Sequence, residues 1–307
     1  MASFLQNTVS ALQFGSFYAL IALGYSMVYG VLMLFNFAHG DIFMTGAYIG
    51  FFISTGLVAL AATGFLPLPG WALLALVILL SMLATSLVGV LVERVGYRPL
   101  RNAPRASAAV TGLMIGIILE TGNLALLGAG RKSFPELIKT TTYVIAGVNI
   151  TNTRIMIVAL SILLMIGLNF FIRRTKYGMA MRAMAYDFAV VPLMGVSIDT
   201  IAAMTFAIGS GLAAAAGIFY GIAYPVLDPY MGVIVGWKAF VAAILGGRGS
   251  IPGAALAGFL MGFIEIFVAA IFPSTVRDLI AFSIIMLILT FRPNGFFGEP
   301  YSAQLRL

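Results

Sequence analysis

The chain has 307 residues, of which 62% are apolar and only 9% are charged, whereas soluble globular domains carry about 25% charged residues. So little polar surface cannot cover a water-soluble body, which excludes a soluble enzyme and predicts a membrane protein. The net charge of +7 comes from Lys and Arg in short connections between apolar runs, a distribution that favours orientation in the membrane over binding of nucleic acid. Cysteine is absent, so disulfides and cysteine metal sites are excluded.

Apolar runs recur along the chain, each close to the ~20 residues that a helix needs to cross a ~30 Å hydrocarbon core. The alternating polarity of membrane β-strands is absent. The sequence therefore predicts an all-α integral membrane protein, a multi-span helical bundle forming one domain over residues 1–307. The predicted spans lie at about residues 10–34, 42–62, 71–92, 107–127, 154–172, 198–224, 252–272 and 279–291.

A shorter apolar run at 233–245 ends at Gly246-Gly247-Arg248-Gly249, which favours a broken or re-entrant helix. The span count is therefore eight or nine. A weak internal repeat is also indicated, because a helix precedes a polar or glycine-broken segment at 36–41 and again at 246–253. Both of these helices would run from outside to inside, which favours a parallel repeat.

Two connections are densely basic. Arg94, Arg98, Arg101 and Arg105 lie in one, and a second cluster lies at 173–182. The excess of positive charge predicts that both are cytoplasmic, with the N-terminus outside. Five glycine pairs at a spacing of four residues predict close helix packing without identifying a face.

Polar residues inside apolar runs are the candidates for a translocation path, because a charge in hydrocarbon costs several kcal/mol unless it is paired or hydrated. The candidates are Asn36, His39, Asp41, Glu120 and Glu265. Each also has a structural interpretation. Asn36, His39 and Asp41 could cap a helix at a turn, and either glutamate could pair with an arginine from another helix.

Lys238 is interpreted as snorkelling toward an interface.

The cytoplasmic segment at about 177–197 is neither a clean span nor a plain loop. Its alanines and methionines favour a short helix, and Pro192 ends that helix or begins a second one. Such a helix suits a groove on a partner protein, although an amphipathic helix could also rest among lipid headgroups.

No Gly-Lys pair occurs, so the chain lacks the phosphate-binding loop of nucleotide hydrolases. The single histidine, His39, excludes two-histidine metal motifs, and no serine and carboxylate accompany it as in a hydrolytic site. We therefore expect no catalytic residues, no metal site and no cofactor in this chain.

Ordered motifs along almost the whole chain carry a family resemblance. They are Tyr18-Ala19-Leu20-Ile21-Ala22-Leu23-Gly24-Tyr25 with Tyr29-Gly30, Asn36-Phe37-Ala38-His39-Gly40-Asp41, Glu93-Arg94 with Tyr97-Arg98-Pro99-Leu100-Arg101, Arg182-Ala183 with Gly195-Val196, Lys238-Ala239-Phe240 with Gly246-Gly247, Gly249-Ser250-Ile251-Pro252-Gly253-Ala254, and Arg292-Pro293-Asn294-Gly295. In these motifs the chain resembles the LivH-type permease subunits of ABC importers for branched-chain amino acids.

The resemblance implies a channel built with a second, LivM-type permease in a bacterial inner membrane. Two cytoplasmic ATPases would bind the ATP and Mg, and a periplasmic binding protein would deliver the solute. The coupling contact with an ATPase would involve Arg182, Ala183, Ala185, Asp187, Pro192 and Gly195. The chain departs from the family pattern at Val191, where alanine is usual, and at Tyr186, where an acidic residue is common.

Three alternatives remain open at this point. Related permeases carry urea, short amides or other amino acids. An ion-coupled secondary transporter would use Glu265, Glu120 and Asp41 as proton or cation sites. A membrane scaffold or receptor would carry no solute.

Overall fold

The fold is a bundle of α-helices, seen in a computed structural model that describes residues 2–64, 68–145, 147–188, 190–247 and 249–298. Within those ranges the α-helices are α1 Ala2–Leu32, α2 His39–Ala62, α3 Gly70–Val92, α4 Arg105–Leu127, α5 Asn152–Arg174, α6 Lys176–Tyr186, α7 Ile198–Ala223, α8 Met231–Gly246, α9 Ile251–Ile271 and α10 Arg277–Phe291. Arg248, which belongs to the glycine-rich motif after α8, lies outside the described residues.

The predicted helical membrane fold is confirmed. Seven of the described helices are long and apolar enough to cross a membrane: α1 to α5, α7 and α9. The remaining apolar helices are shorter, with 16 residues in α8 and 15 in α10. At 1.5 Å per residue they reach about 24 and 22 Å, less than the ~30 Å hydrocarbon core.

Short strands and loops gather the α4–α5 and α7–α8 connections at one end of the bundle. Strand β1 Lys132–Ser133 pairs with β4 Val226–Leu227, and β2 Thr142–Ile145 forms a hairpin with β3 Val148–Thr151. Gln6 of α1 exchanges hydrogen bonds with the backbone of Asn149 in that hairpin. The N-terminal helix thus begins at the same end of the bundle as these strands and loops.

The basic connections lie at the opposite end. Arg98 and Arg101 form ion pairs with Asp199 at the start of α7, which follows the segment 177–197. The C-terminal segment closes over the α8–α9 connection, where the Phe296 amide donates to the Leu245 carbonyl. This arrangement places the two basic clusters on one face of the bundle.

Helices α1–α3 and α7–α9 form two similar units that run in opposite directions. α1 corresponds to α7, α2 to α8 and α3 to α9. The contact of α1 with α9 is matched by that of α7 with α3, and the contact of α2 with α7 is matched by that of α8 with α1. The two units are antiparallel, since Gly24 in α1 lies against Gly209 in α7, and the rings of Phe17 and Tyr220 are 5.7 Å apart. The repeat is therefore inverted, and the expectation of a parallel repeat was wrong. That expectation matched residues 36–41 to 246–253, whereas the structure matches them to 224–230, the segment before α8.

Close helix packing explains the glycine pairs. A Cβ atom on Gly258 of α9 would lie 2.3 Å from the Ala19 Cα of α1. One turn further on, a Cβ on Gly262 would lie 2.4 Å from the backbone nitrogen of Gly15. Real side chains do not fit at such distances, so these glycines set the separation between α1 and α9.

Candidate functional site

The first turns of α2 and α8 meet inside the bundle. The backbone leaves α1 at Met33, whose φ of 54° is in the left-handed region, and residues 33–38 lead back to the start of α2. The His39 ring lies against Gly24, eight residues before the end of α1, so α2 begins about 12 Å inside that end. Gly40 packs on Gly232 and Gly236 of α8, so α8 also begins within the bundle.

Asn36 and His39 hold this junction together. The Asn36 Oδ1 atom accepts hydrogen bonds from the Ala38 amide at 3.1 Å and from the Tyr97 hydroxyl at 3.0 Å. The His39 ring lies 4.8 Å from the ring of Tyr25. The cap residue of α2 is Ala38, without a side-chain cap. The expected side-chain cap of this helix is therefore absent, although Asn36 does stabilise the preceding turn.

Asp41 and Glu120 line one cleft beside the junction, with a volume of about 170 Å³. Asp41 is only 8% exposed, and its Oδ1 atom has no hydrogen-bond partner among the described residues. Gly116 of α4 and Gly232 of α8 both lie against its carboxylate. Glu120 comes from α4 and is half-buried. The structure thus brings together Asn36, His39 and Asp41 at the junction, with Glu120 across the cleft.

Glu265 belongs to a different cluster. It is 1% exposed and accepts a hydrogen bond from the Tyr18 hydroxyl. The Lys238 Nζ atom lies 2.8 Å from its Oε1 atom and 2.9 Å from the Asp278 Oδ1 atom. The Arg277 Nε atom lies 3.3 Å from the same Glu265 oxygen. Of the two interpretations of Glu265, these contacts agree with the structural one, in which the glutamate pairs with cations from other helices.

Lys238 does not snorkel. Its side chain is 4% exposed and points into the bundle toward Glu265. The snorkelling interpretation was wrong because the cost of desolvating the ammonium group is offset by two carboxylates on α9 and α10, which the sequence separates from Lys238 by 27 and 40 residues.

The segment 177–197 forms two short helical pieces at the basic end. α6 begins after Thr175, whose hydroxyl accepts from the Gly178 amide, and Val191–Met194 forms a 3₁₀ turn with Pro192 in its first turn. Gly195 ends that turn in the left-handed conformation, with φ of 78°. Ala189 lies outside the described residues. The predicted helix and the predicted second helical start are therefore both present.

Arg182 has a structural contact that the sequence did not indicate. Its guanidinium donates to the Ile172 carbonyl near the end of α5. Asp187 ends α6, and its carboxylate accepts from the Val190 amide at 3.1 Å. Leu193 and Met194 are instead 84% and 77% exposed. The exposed surface of this segment is thus apolar and centred on the 3₁₀ turn.

Sequence reasoning missed the ion-pair network at the basic end. Arg101 bridges the buried carboxylate of Glu93 and that of Asp199, and Arg98 also pairs with Asp199. In the sequence, the arginines of this connection indicated only its orientation in the membrane, and no partner was predicted for them. Because Tyr97 also bonds Asn36, the network connects the α3–α4 connection, the start of α7 and the junction.

Comparison with known proteins identifies the family. Residues 7–289 match the family model described as branched-chain amino acid transport system / permease component. The chain belongs to this permease family. It is 40% identical to the high-affinity branched-chain amino acid transport system permease protein BraD of Pseudomonas aeruginosa, with 97% of this chain and 96% of that protein aligned.

Other relatives agree. The permease protein LivH of Escherichia coli is 36% identical over 97% of this chain and 96% of its own length. A probable branched-chain amino acid transport permease LivH of Methanocaldococcus jannaschii is 26% identical over 83% of this chain and 78% of its own length. In this permease, the junction, the Lys238–Glu265 cluster and the 177–197 segment thus belong to a multi-pass membrane transport component.

Proposed function

We propose that this permease forms half of the transmembrane channel of a bacterial inner-membrane ABC importer for branched-chain amino acids. A related second permease supplies the other half. Two cytoplasmic ATPases bind the ATP and Mg and drive transport, and a periplasmic binding protein delivers the solute. The chain itself is non-catalytic and holds no cofactor. The observation that carries the proposal is the match over 97% of the chain to a permease of that named transport system.

The 177–197 segment supports a docking role for the ATPases. It lies at the basic end of the bundle, and an excess of positive charge on connecting segments favours the cytoplasmic side of a membrane. α6 packs against the bundle through buried Met181 and Met184, and the following 3₁₀ turn exposes Leu193-Met194 at its tip. An exposed apolar tip on a short helix suits a groove on a partner. Movement of the ATPases would be transmitted through α6 to α5 by the Arg182 contact.

The contacts of Arg182 and Gly195 guide the choice of test variant. A substitution at Arg182 removes its bond to Ile172, and any side chain at Gly195 strains a left-handed residue. Leu193→Asp combined with Met194→Asp changes only the exposed tip. We expect this double variant to lose ATPase copurification and ATP-driven L-leucine uptake while the permease remains in the membrane.

A matched control places the same change at the opposite end of the bundle. Val144 and Ile145 are exposed neighbours in the β2–β3 hairpin, and Val144→Asp combined with Ile145→Asp should retain the ATPases. Undiminished copurification and uptake in the Leu193→Asp, Met194→Asp variant would refute the docking role. Uptake that survives removal of the ATPases and collapses with an ion gradient would instead support a secondary transporter.

A further inference from the structure

The cleft between α2, α4 and α8 holds more negative charge than its surroundings compensate. Two carboxylates, Asp41 and Glu120, line it, and neither has a Lys or Arg within 4.0 Å in the described parts of the chain. The cluster around Glu265 is different, because Lys238 and Arg277 pair with that carboxylate. The cleft is thus a place where two acidic side chains lie together in the bundle without a protein cation.

Helix ends account for only part of this charge. Asp41 lies in the first turn of α2 and against Gly232 in the first turn of α8. Each helix N-terminus carries roughly half a positive charge, so the two ends together offset about one of the two carboxylates. About one negative charge remains, which favours the ammonium end of a ligand at this place in the cleft.

The orientation of Asp41 also indicates a ligand. Its side chain is more than nine-tenths buried, and its Oδ1 atom has no hydrogen-bond partner within the described ranges. A buried carboxylate oxygen without a donor is destabilising, because it has lost its hydrogen bonds to water and gained none in exchange. A donor of N–H bonds that enters the cleft would remove that cost, and an ammonium group carries three such donors.

Aromatic rings form much of the cleft wall. Tyr25, Phe37, Trp237 and Phe240 line the cleft, and their rings contact one another at 5.3 to 6.2 Å. Ring faces attract cations within about 6 Å, which favours an organic ammonium. The remaining lining, from Leu113, Ile117 and Val233, is aliphatic and suits an apolar side chain.

We propose that this cleft is a transient site for the α-ammonium group of an apolar amino acid during its passage, with Asp41 and Glu120 as its counter-charges. The inference rests on the proposed function, since it assigns that function's substrate to these side chains. Aromatic rings hold the ammonium against the acids, and the aliphatic lining receives the substrate side chain.

The test uses the complete importer in proteoliposomes, with both permeases, the ATPases and the binding protein, and the diazirine analogue of leucine as a photolabel. We expect the label to attach to peptides that contain Leu113, Ile117 or Trp237 in the wild type. The same diazirine acid without its amino group should label these peptides about tenfold less, because it cannot form the charged hydrogen bonds.

Variants isolate the two acids. Asp41→Asn should reduce labelling and uptake about tenfold, and Glu120→Gln should reduce both several-fold. Glu120 is half-buried, so its amide variant still tests the proposal if Asp41→Asn does not assemble. The control is Glu136→Gln, which neutralises an outer-loop carboxylate that accepts from the Thr140 amide and should behave as wild type.

Each outcome bears on one claim. Loss of wild-type L-leucine uptake would overturn the proposed function. If the wild-type importer takes up L-leucine but the cleft is not labelled, the ammonium site alone is overturned. The same holds if Asp41→Asn and Glu120→Gln are labelled as strongly as the wild type. Equal labelling by the analogue without the amino group would also overturn it, and labelling that requires Na⁺ would reassign the acids to an inorganic cation.

Discussion

Removing the Glu265 carboxylate should destabilise the bundle more than removing its partner Lys238. Glu265→Leu removes one acceptor from each of three donors: the Tyr18 hydroxyl, the Lys238 ammonium and the Arg277 guanidinium. Lys238 retains Asp278, but Tyr18 is buried and loses its carboxylate acceptor. Breaking one side of a buried charge cluster costs about 3–5 kcal/mol. We expect Glu265→Leu to cost about 3 kcal/mol, at the low end, because Lys238 remains paired.

Lys238→Met should cost less, about 1.5–2 kcal/mol, because Glu265 keeps Arg277 and Tyr18. The double variant should be more stable than the sum of the single losses by about 1–2 kcal/mol, since two apolar side chains can replace a buried ion pair at little cost. The measurement is the free energy of unfolding, in mixed detergent and SDS micelles, of the wild type, the two single variants and the double variant. Additive losses, or a larger loss for Lys238→Met, would refute this account of the cluster.

Three further predictions concern packing and the basic end. Gly262→Leu should cost about 3 kcal/mol of stability, because it separates α1 from α9. The control is Gly167→Leu in α5, where a Cβ meets nothing within 4 Å, and it should be nearly neutral. Equal thermal stability of the two variants would contradict the packing of α1 on α9. Tyr97→Phe removes the bond to Asn36 and should cost about 1 kcal/mol, measured by the same unfolding assay; an unchanged value would mean that the bond contributes nothing. Asp199→Asn should cost no more than about 1 kcal/mol, because this carboxylate is 43% exposed in its side chain, and a loss of several kcal/mol would show that the network is shielded from water.

The helices could be predicted because crossing a membrane imposes a length and a composition on each segment. The break at 33–38 was also predictable, since polar residues interrupt an apolar run there. The matching break at 224–230 was missed, although Pro225 and Pro229 mark it in the sequence. Without it, α8 was aligned by its glycine-rich end, and the repeat was given the wrong direction.

Pairings between distant residues could not be predicted in the same way. Lys238 and Glu265 lie on different helices, and the sequence does not state which faces of α8 and α9 meet. The glycine spacing predicted close packing but left its partners open, because many helix faces carry small residues. Likewise, the sequence placed Asp41 and Glu120 inside apolar runs, while only the folding of α4 against α2 brings them to one cleft.

The most direct test of the central claim is accumulation of L-leucine in proteoliposomes that contain the complete importer and its binding protein. We expect uptake against a gradient that requires ATP and active ATPases and that is lost in the Leu193→Asp, Met194→Asp variant. Uptake that proceeds without ATPases, or a complete importer that hydrolyses ATP but never accumulates L-leucine, would contradict the account.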